Sequence, residues 1–265
     1  MSGSHDPKHS GDPKQGEREY YRRIGAEGLA HAAAKPLNDP RAGHYLADLG
    51  ALLMLLRPPP ASLLDLGCGT GWTTRYLAQA GYTVTGVDIA PEAIAKAIEC
   101  TGPAEAGRAT FRVGDYEHPP SIGVFDYVLF YDALHHAEDE AAALACAFAA
   151  LKPDGVLVAF EPGEGHHRSE SSVRAVKEFG VHEKEMPPHH IIAVGKRVGF
   201  RSGIALPTPH DFVKTLYRRD LSRPASTLRL WMERTWAYFR VMTRMRTLRR
   251  GGMTILFKGA ARPLR

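Results

Sequence analysis

The sequence predicts an α/β fold, a mostly parallel sheet with helices on both faces. Two observations carry this. From Ser62 to Phe160, short apolar runs alternate with helix-length segments at the spacing of strand–helix–strand units. The first of these runs ends in a glycine-rich turn, "LGCGTGW", that opens directly into a helix.

Before that region the chain is different. The opening "MSGSHDPKHSGDPKQGE" is polar and rich in Gly and Pro, with no apolar stretch of the kind a secretory signal needs. Residues 1–16 read as a disordered tail. Glu17–Ala34 and Arg41–Leu56 then read as two helices, the second with Tyr45, Leu49, Leu52, Leu53 and Leu56 at helical spacing. Pro58 to Pro60 cannot continue it. Residues 17–60 are therefore expected to form an N-terminal helical cap.

The core spans 61–206. "SLLDLG" is its first strand and "GWTTRYLAQAG" a helix ending at Gly81. "TVTGVDI" is the second strand, and "PEAIAKAIE" a helix with Pro91 in its first turn. "ATFRVGD" and "FDYVLFYD" are strands three and four, "EDEAAALACAFAALK" is an Ala-rich helix, and "GVLVAFE" is strand five. "SSVRAVKEF" and "HIIAVGKRVGF" read as helices and "RSGIAL" as a strand. Asp211–Arg250 looks helical, so 207–250 is expected to be a helical insertion or lid. Leu228, Trp231, Met232, Phe239, Met242 and Met245 fall near one face, the pattern of a packing face. The alternative is a lid or membrane-adjacent helix with arginines around an apolar stripe. Residues 251–265 supply the last strand, "GGMTILFKG", and a tail.

Composition narrows the class. The 265 residues are 44% hydrophobic and 24% charged, enough for one large domain or one core with appended pieces. No apolar run approaches the roughly 20 residues that span a bilayer. Cys68, Cys100 and Cys146 are odd in number and lack metal-knuckle spacing, which points to reduced thiols and a cytoplasmic location. The net charge of +5 is uneven. Residues 201–265 hold 15 Lys/Arg against 3 Asp/Glu, whereas 1–200 hold 19 against 26. The basic C-terminal region suits peripheral contact with a membrane or an anionic substrate.

The glycine loop points to a ligand. Gly67, Gly69 and Gly71 remove side chains where the backbone turns sharply and approaches a bound group. The helix N-terminus behind them suits a carboxylate or a phosphate. The spacing is G-x-G-x-G rather than the G-x-G-x-x-G of dinucleotide sites. Asp65, just before the loop, would repel pyrophosphate but could engage an ammonium. A ligand with both charges, such as an amino acid, fits both ends. At the end of strand two, Asp88 is placed to accept hydrogen bonds from two ribose hydroxyls, with Ile89 against an adenine face. Asp115 at the end of strand three could accept adenine amino protons, with Tyr116 flanking the ring.

"LDLGCGTG", "VDIA", "GDYE" and "LKPDGVLV" together resemble the class I S-adenosylmethionine-dependent methyltransferases of the small-molecule type. The resemblance covers Ser62 to Phe160 closely and "TILFKG" more loosely. It implies a Rossmann-like sheet of seven strands with the last antiparallel, and S-adenosyl-L-methionine as cofactor. It also implies that Gly67, Cys68, Gly69 and Gly71 form the methionine-side loop, Asp65 supports the amino group, Asp88 takes the ribose, and Asp115 with Tyr116 takes the adenine. Tyr131, just past strand four, would border the cofactor. The cap, with Tyr20 and Tyr21, would close over it and exclude water.

The methyl acceptor needs alignment and, for an alcohol, a base. His135 and His136 follow strand four and Glu161 ends strand five, all at the carboxyl edge where ligands bind such sheets. The arrangement is similar to sugar O-methyltransferases of glycosylated natural products, in which an "LHH" pair and an acid at the end of strand five are implicated in deprotonating the hydroxyl. Here that acid is Glu161, where an aspartate is expected. The other reading of these residues is a metal at His135, His136, His166, His167, Glu161 and Glu164. Adjacent histidines on a helix diverge by about 100°, and no i,i+4 histidine spacing occurs among these residues, so no metal is expected. The chain has "YDAL" where methyltransferases of DNA amino groups carry N/D-P-P-Y/F, so nucleic acid is not an expected partner. The expected acceptor is a hydroxyl of a sugar, glycolipid or natural product. Nitrogen or carbon methylation (protein or RNA included), a non-catalytic adenosylmethionine-binding module and an NAD-dependent oxidoreductase are the alternatives.

Overall fold

The computed structural model describes residues 12, 14–118, 122–217, 226–245 and 251–260. Two helices come first, α1 (Gln15–Ala33) and α2 (Ala42–Leu55). The core then runs β1 (Ser62–Leu66), α3 (Trp72–Gln79), β2 (Thr83–Asp88), α4 (Pro91–Glu99), β3 (Ala109–Val113), β4 (Phe125–Tyr131), α5 (Glu140–Ala150) and β5 (Leu151–Pro162). It continues with α6 (Glu170–Phe179), α7 (Pro188–Val198), β6 (Ser202–Leu206), α8 (Pro209–Tyr217), α9 (Thr227–Met245) and β7 (Gly251–Phe257). Of the expected tail, residues 1–11 and 13 lie outside the described residues. Its last part is ordered: Lys14 is buried and Gln15 and Gly16 begin α1.

The strands form one seven-stranded sheet in the order β3-β2-β1-β4-β5-β7-β6. Strands β1 to β5 pair in parallel, and β7 is antiparallel to both β5 and β6. The strand order reverses between β1 and β4, so their carboxyl ends open a crevice where ligands bind such sheets. Both faces are covered. Leu64, Leu66, Val128 and Phe130 pack with Leu144, Ala147 and Val194 on one side. Leu63, Leu129 and Val158 pack with Leu52, Leu56 and Leu77 on the other. Each of the Leu, Val and Phe side chains contributes roughly 1.5–3 kcal/mol on burial, which fixes the strand ends from which the site is built.

The C-terminal helices differ from expectation. The expected single helical stretch is two helices, α8 and α9, packed on each other. In α9 the half-buried residues are Leu230, Ala237 and Val241. Leu228, Trp231, Met232, Phe239 and Met242 are all exposed, joined by Trp236 and Tyr238. The stripe expected to pack faces outward, and a different face of the helix meets the protein. The side chain of Met245 and residues 246–250 lie outside the described residues.

Candidate active site

A cleft of about 250 Å³ opens over the carboxyl ends of β1, β2, β3 and β4. Gly67, Asp88, Ile89, Asp115, Tyr116 and His136, all singled out in the sequence, line it. At Gly67 the backbone takes a left-handed φ of 73°, and an added Cβ would press on Ala133. The Asp88 carboxylate is 8% exposed and accepts the N–H of Gly69 at 2.8 Å and of Ala90 at 2.9 Å. Burial pushes its pKa up to about 6, against those two bonds. Each oxygen keeps further acceptor capacity, and the residue borders the cleft.

Other expected contacts lie behind the cleft wall. Asp65 is buried and turned toward α3, where its Oδ2 accepts the hydroxyls of Thr73 and Thr74, each at 2.6 Å. It holds the loop to the helix instead of facing a ligand. The Cys68 thiol is buried, packed close to Gly86. Gly71 has a φ of 71°, and a Cβ there would strike the Phe111 ring, so it serves packing. Tyr131 donates its hydroxyl to Asp48 at 3.0 Å and stacks near Phe160, away from the cleft. Gly69 presents its N–H to Asp88.

The N-terminal cap supplies one wall of the cleft. Tyr20 and Tyr21 of α1 line the cleft, and the Tyr21 hydroxyl lies directly over Gly69. Lys14 and Glu17 join them. Lys14 Nζ lies 2.8 Å from Asp115 and 2.6 Å from Glu117. Burial opposes its charge, but hydrogen bonds to the two carboxylates prevail and raise its pKa. Glu117 in turn accepts the N–H groups of Glu138 and Asp139, both at 2.9 Å.

The acceptor side is built around the turn after β4. Asp132 is the non-glycine residue with positive φ, 54°, among the described residues, a strained geometry found at functional sites. A 3-10 turn, Leu134–His136, follows. His135 is 3% exposed, and its Nδ1 lies 2.8 Å from Glu161 Oε2. Burial disfavours its charge, yet the hydrogen bond and charge of Glu161 outweigh this and raise its pKa to about 9. His136 differs. Its Nδ1 lies 2.6 Å from the His182 carbonyl, which can only accept, so Nδ1 carries the proton and Nε2 is left as an acceptor. Burial, aided by the neighbouring His135 charge, lowers its pKa and keeps it neutral. Glu183, absent from the sequence reading, accepts from His166 Nε2 at 2.6 Å. Burial opposes its charge, but that bond prevails and its pKa falls to about 2.

The domain type is decided by comparison. Residues 64–159 match the family described as "Methyltransferase domain". Over those residues the chain is similar to that methyltransferase domain. It is 44% identical over 91 residues to magnesium-protoporphyrin O-methyltransferase of Rhodobacter capsulatus, a match covering 33% of this chain and 40% of that protein. It is 37% identical over 119 residues to 2-methyl-6-phytyl-1,4-hydroquinone methyltransferase of Synechocystis, covering 43% and 36%. The chain thus matches less than half the length of these two relatives. In fold it is similar to magnesium protoporphyrin IX methyltransferase from Synechocystis solved with bound S-adenosylhomocysteine, at TM-score 0.58 and 17% identity, covering 94% of this chain and 100% of that one.

The cofactor of this domain class is S-adenosyl-L-methionine, and the cleft suits it. Gly67 borders the cleft without a side chain, and Asp88 offers a buried carboxylate with spare acceptor capacity. Asp115 suits a nucleobase amino group, but Lys14 already holds it. No helix among the described residues is long and apolar enough to cross a membrane.

Proposed function

We propose that this protein transfers a methyl group from S-adenosylmethionine to a hydroxyl of a small molecule, a sugar, glycolipid or natural product. The observation that carries this reading is His136, which lines the cleft neutral, with Nδ1 held by the His182 carbonyl and Nε2 free of a proton. The cofactor would supply an electrophilic methyl on its sulfonium. His136 takes the acceptor proton at Nε2 as the oxygen gains the methyl. His135, tied to Glu161, fixes the turn that aims His136. Tyr20 and Tyr21 help exclude water.

A labelled-methyl screen against hydroxylated acceptors tests this. His136→Ala should lower turnover about 10²–10⁴-fold while S-adenosylhomocysteine affinity stays within about twofold. Full activity in that variant would remove the base assignment, and exclusive methylation of nitrogen or carbon would remove the acceptor class.

We further infer that α9 rests on an anionic lipid surface. Its outward arc of Trp231, Trp236, Phe239 and Met242 is flanked by Arg234 and Arg240, the pattern of an interfacial helix. Trp231→Ser with Trp236→Ser should abolish sedimentation with phosphatidylglycerol vesicles. Equal sedimentation with phosphatidylcholine, or none with either, would contradict it.

A further inference from the structure

We propose that His135, His166 and Glu183 form a binding site for a divalent transition-metal cation, best matched to zinc. One ligand atom from each lies within 4.8 Å of the others. The three come from separate parts of the chain: the turn after β4, the turn after β5, and the segment between α6 and α7. His166 Nε2 is 2.6 Å and His135 Nε2 3.9 Å from Glu183 Oε2. Ligand distances of about 2.0–2.2 Å around one zinc are met by small side-chain shifts from these positions.

Two features separate this cluster from an ordinary surface ion network. The first is its outer support. His135 Nδ1 is bound to the buried Glu161 carboxylate, so Nε2 faces Glu183. A carboxylate behind an imidazole is the usual support for a metal-bound histidine, because it fixes the tautomer and strengthens the donor. The second is the donor set. Two imidazoles and one carboxylate leave a coordination position open in a zinc site that does chemistry. All three side chains line a pocket of about 630 Å³ that shares Tyr20, Asp132, His136 and Glu183 with the cofactor cleft.

Adjacent histidines on one helical turn diverge and rarely ligate one metal together. The structure removes that objection by using one member of each pair. His136 is committed to the His182 carbonyl and His167 is exposed beside Glu185. Glu183 carries no motif that would have revealed it. If the proposed hydroxyl acceptor is right, on which this role rests, a cation here would bind that oxygen and lower its pKa beside His136.

The test uses the full chain, stripped with a chelator, at about pH 8 where ligand protons compete less. Zinc is titrated calorimetrically and cobalt(II) by visible absorption. The expected result is one equivalent bound, with cobalt bands of a four- or five-coordinate site. His166→Ala and Glu183→Gln should each weaken binding about tenfold or more, with folding checked by circular dichroism. His189→Ala with His190→Ala should change nothing. Absence of the bands, or equal affinity in a His166→Ala/Glu183→Gln double variant, overturns the site. S-adenosylhomocysteine binding is measured on the same stripped protein. Its retention without metal binding sinks only the metal site, and its loss with intact metal binding sinks only the methyl-transfer reading.

Discussion

His135 Nδ1 lies 2.8 Å from Glu161 Oε2, and the same carboxylate accepts the backbone N–H groups of Ala133, Leu134 and His135 at 3.1, 2.8 and 3.2 Å. One buried acid at the end of β5 thus holds the whole turn after β4. Glu161→Gln keeps the size but offers an N–H where N–H groups already point. We predict a loss of about 2–3 kcal/mol in denaturant unfolding, the scale of hydrogen bonds to a charged group. Turnover should fall about 10²-fold with S-adenosylhomocysteine affinity nearly unchanged. Wild-type turnover in this variant would show that the turn does not depend on Glu161.

Lys14 ties the start of α1 to Asp115 and Glu117 at the edge of the cleft. Lys14→Met should free Asp115 and loosen the segment. Stopped-flow binding of S-adenosylhomocysteine is expected to show association several times faster, as for a lid whose latch is cut. An unchanged rate would mean that this segment does not gate entry.

Asp88 is predicted to make cofactor affinity depend on pH. Its pKa is raised to about 6 by burial, with Glu17 and Tyr21 facing it from α1, Asp65 and Cys68 from the end of β1, and Tyr116 from beyond β3. Ribose hydroxyls of the proposed cofactor would donate to its ionised form, so affinity for S-adenosylhomocysteine should weaken as pH falls below about 6, approaching tenfold per unit. Asp88→Asn should bind weakly with a flat profile over the same range, read by calorimetry in matched buffers.

Asp126 should govern acid stability. Its carboxylate accepts the Ser62 N–H and hydroxyl at 2.9 Å and Lys152 at 3.0 Å, and pairs with Arg57. Burial opposes its charge, but these partners hold its pKa down to about 2 from 3.8. A carboxyl with a depressed folded pKa stabilises the fold above its unfolded value and loses that contribution as pH falls through the folded one. The loss should therefore run from about pH 4 to 2 and amount to about 2 kcal/mol. Asp126→Asn should lower stability at neutral pH and flatten that part of the acid limb. An unaltered acid limb would contradict the assignment.

The core was legible because its signals are local. The apolar runs ending at Asp65, Asp88 and Tyr131 mark β1, β2 and β4 nearly to the residue. Asp88, Asp115 and His136 follow from their places at strand ends. Asp65 occupies such a place too, yet Thr73 and Thr74 in the first turn of α3 claim its carboxylate. "GWTT" carried that signal. Lys14, Glu117 and Glu183 carried none, because each sits in a polar stretch that resembles solvated surface. Their partners come from distant parts of the chain: α1 meets the end of β3, and the segment after α6 meets the turn after β5. The outward face of α9 was misread for a related reason: helical spacing finds an apolar stripe but not which way it points.

The central claim is that the Gly67–Asp88 cleft binds S-adenosylmethionine. Calorimetric titration of the full chain with S-adenosylhomocysteine, and separately with NAD, tests it most directly. One molecule of S-adenosylhomocysteine should bind, about tenfold or more weakly in Asp88→Ala, and NAD should not bind. Failure to bind S-adenosylhomocysteine, or binding that is indifferent to Asp88→Ala, would contradict the account.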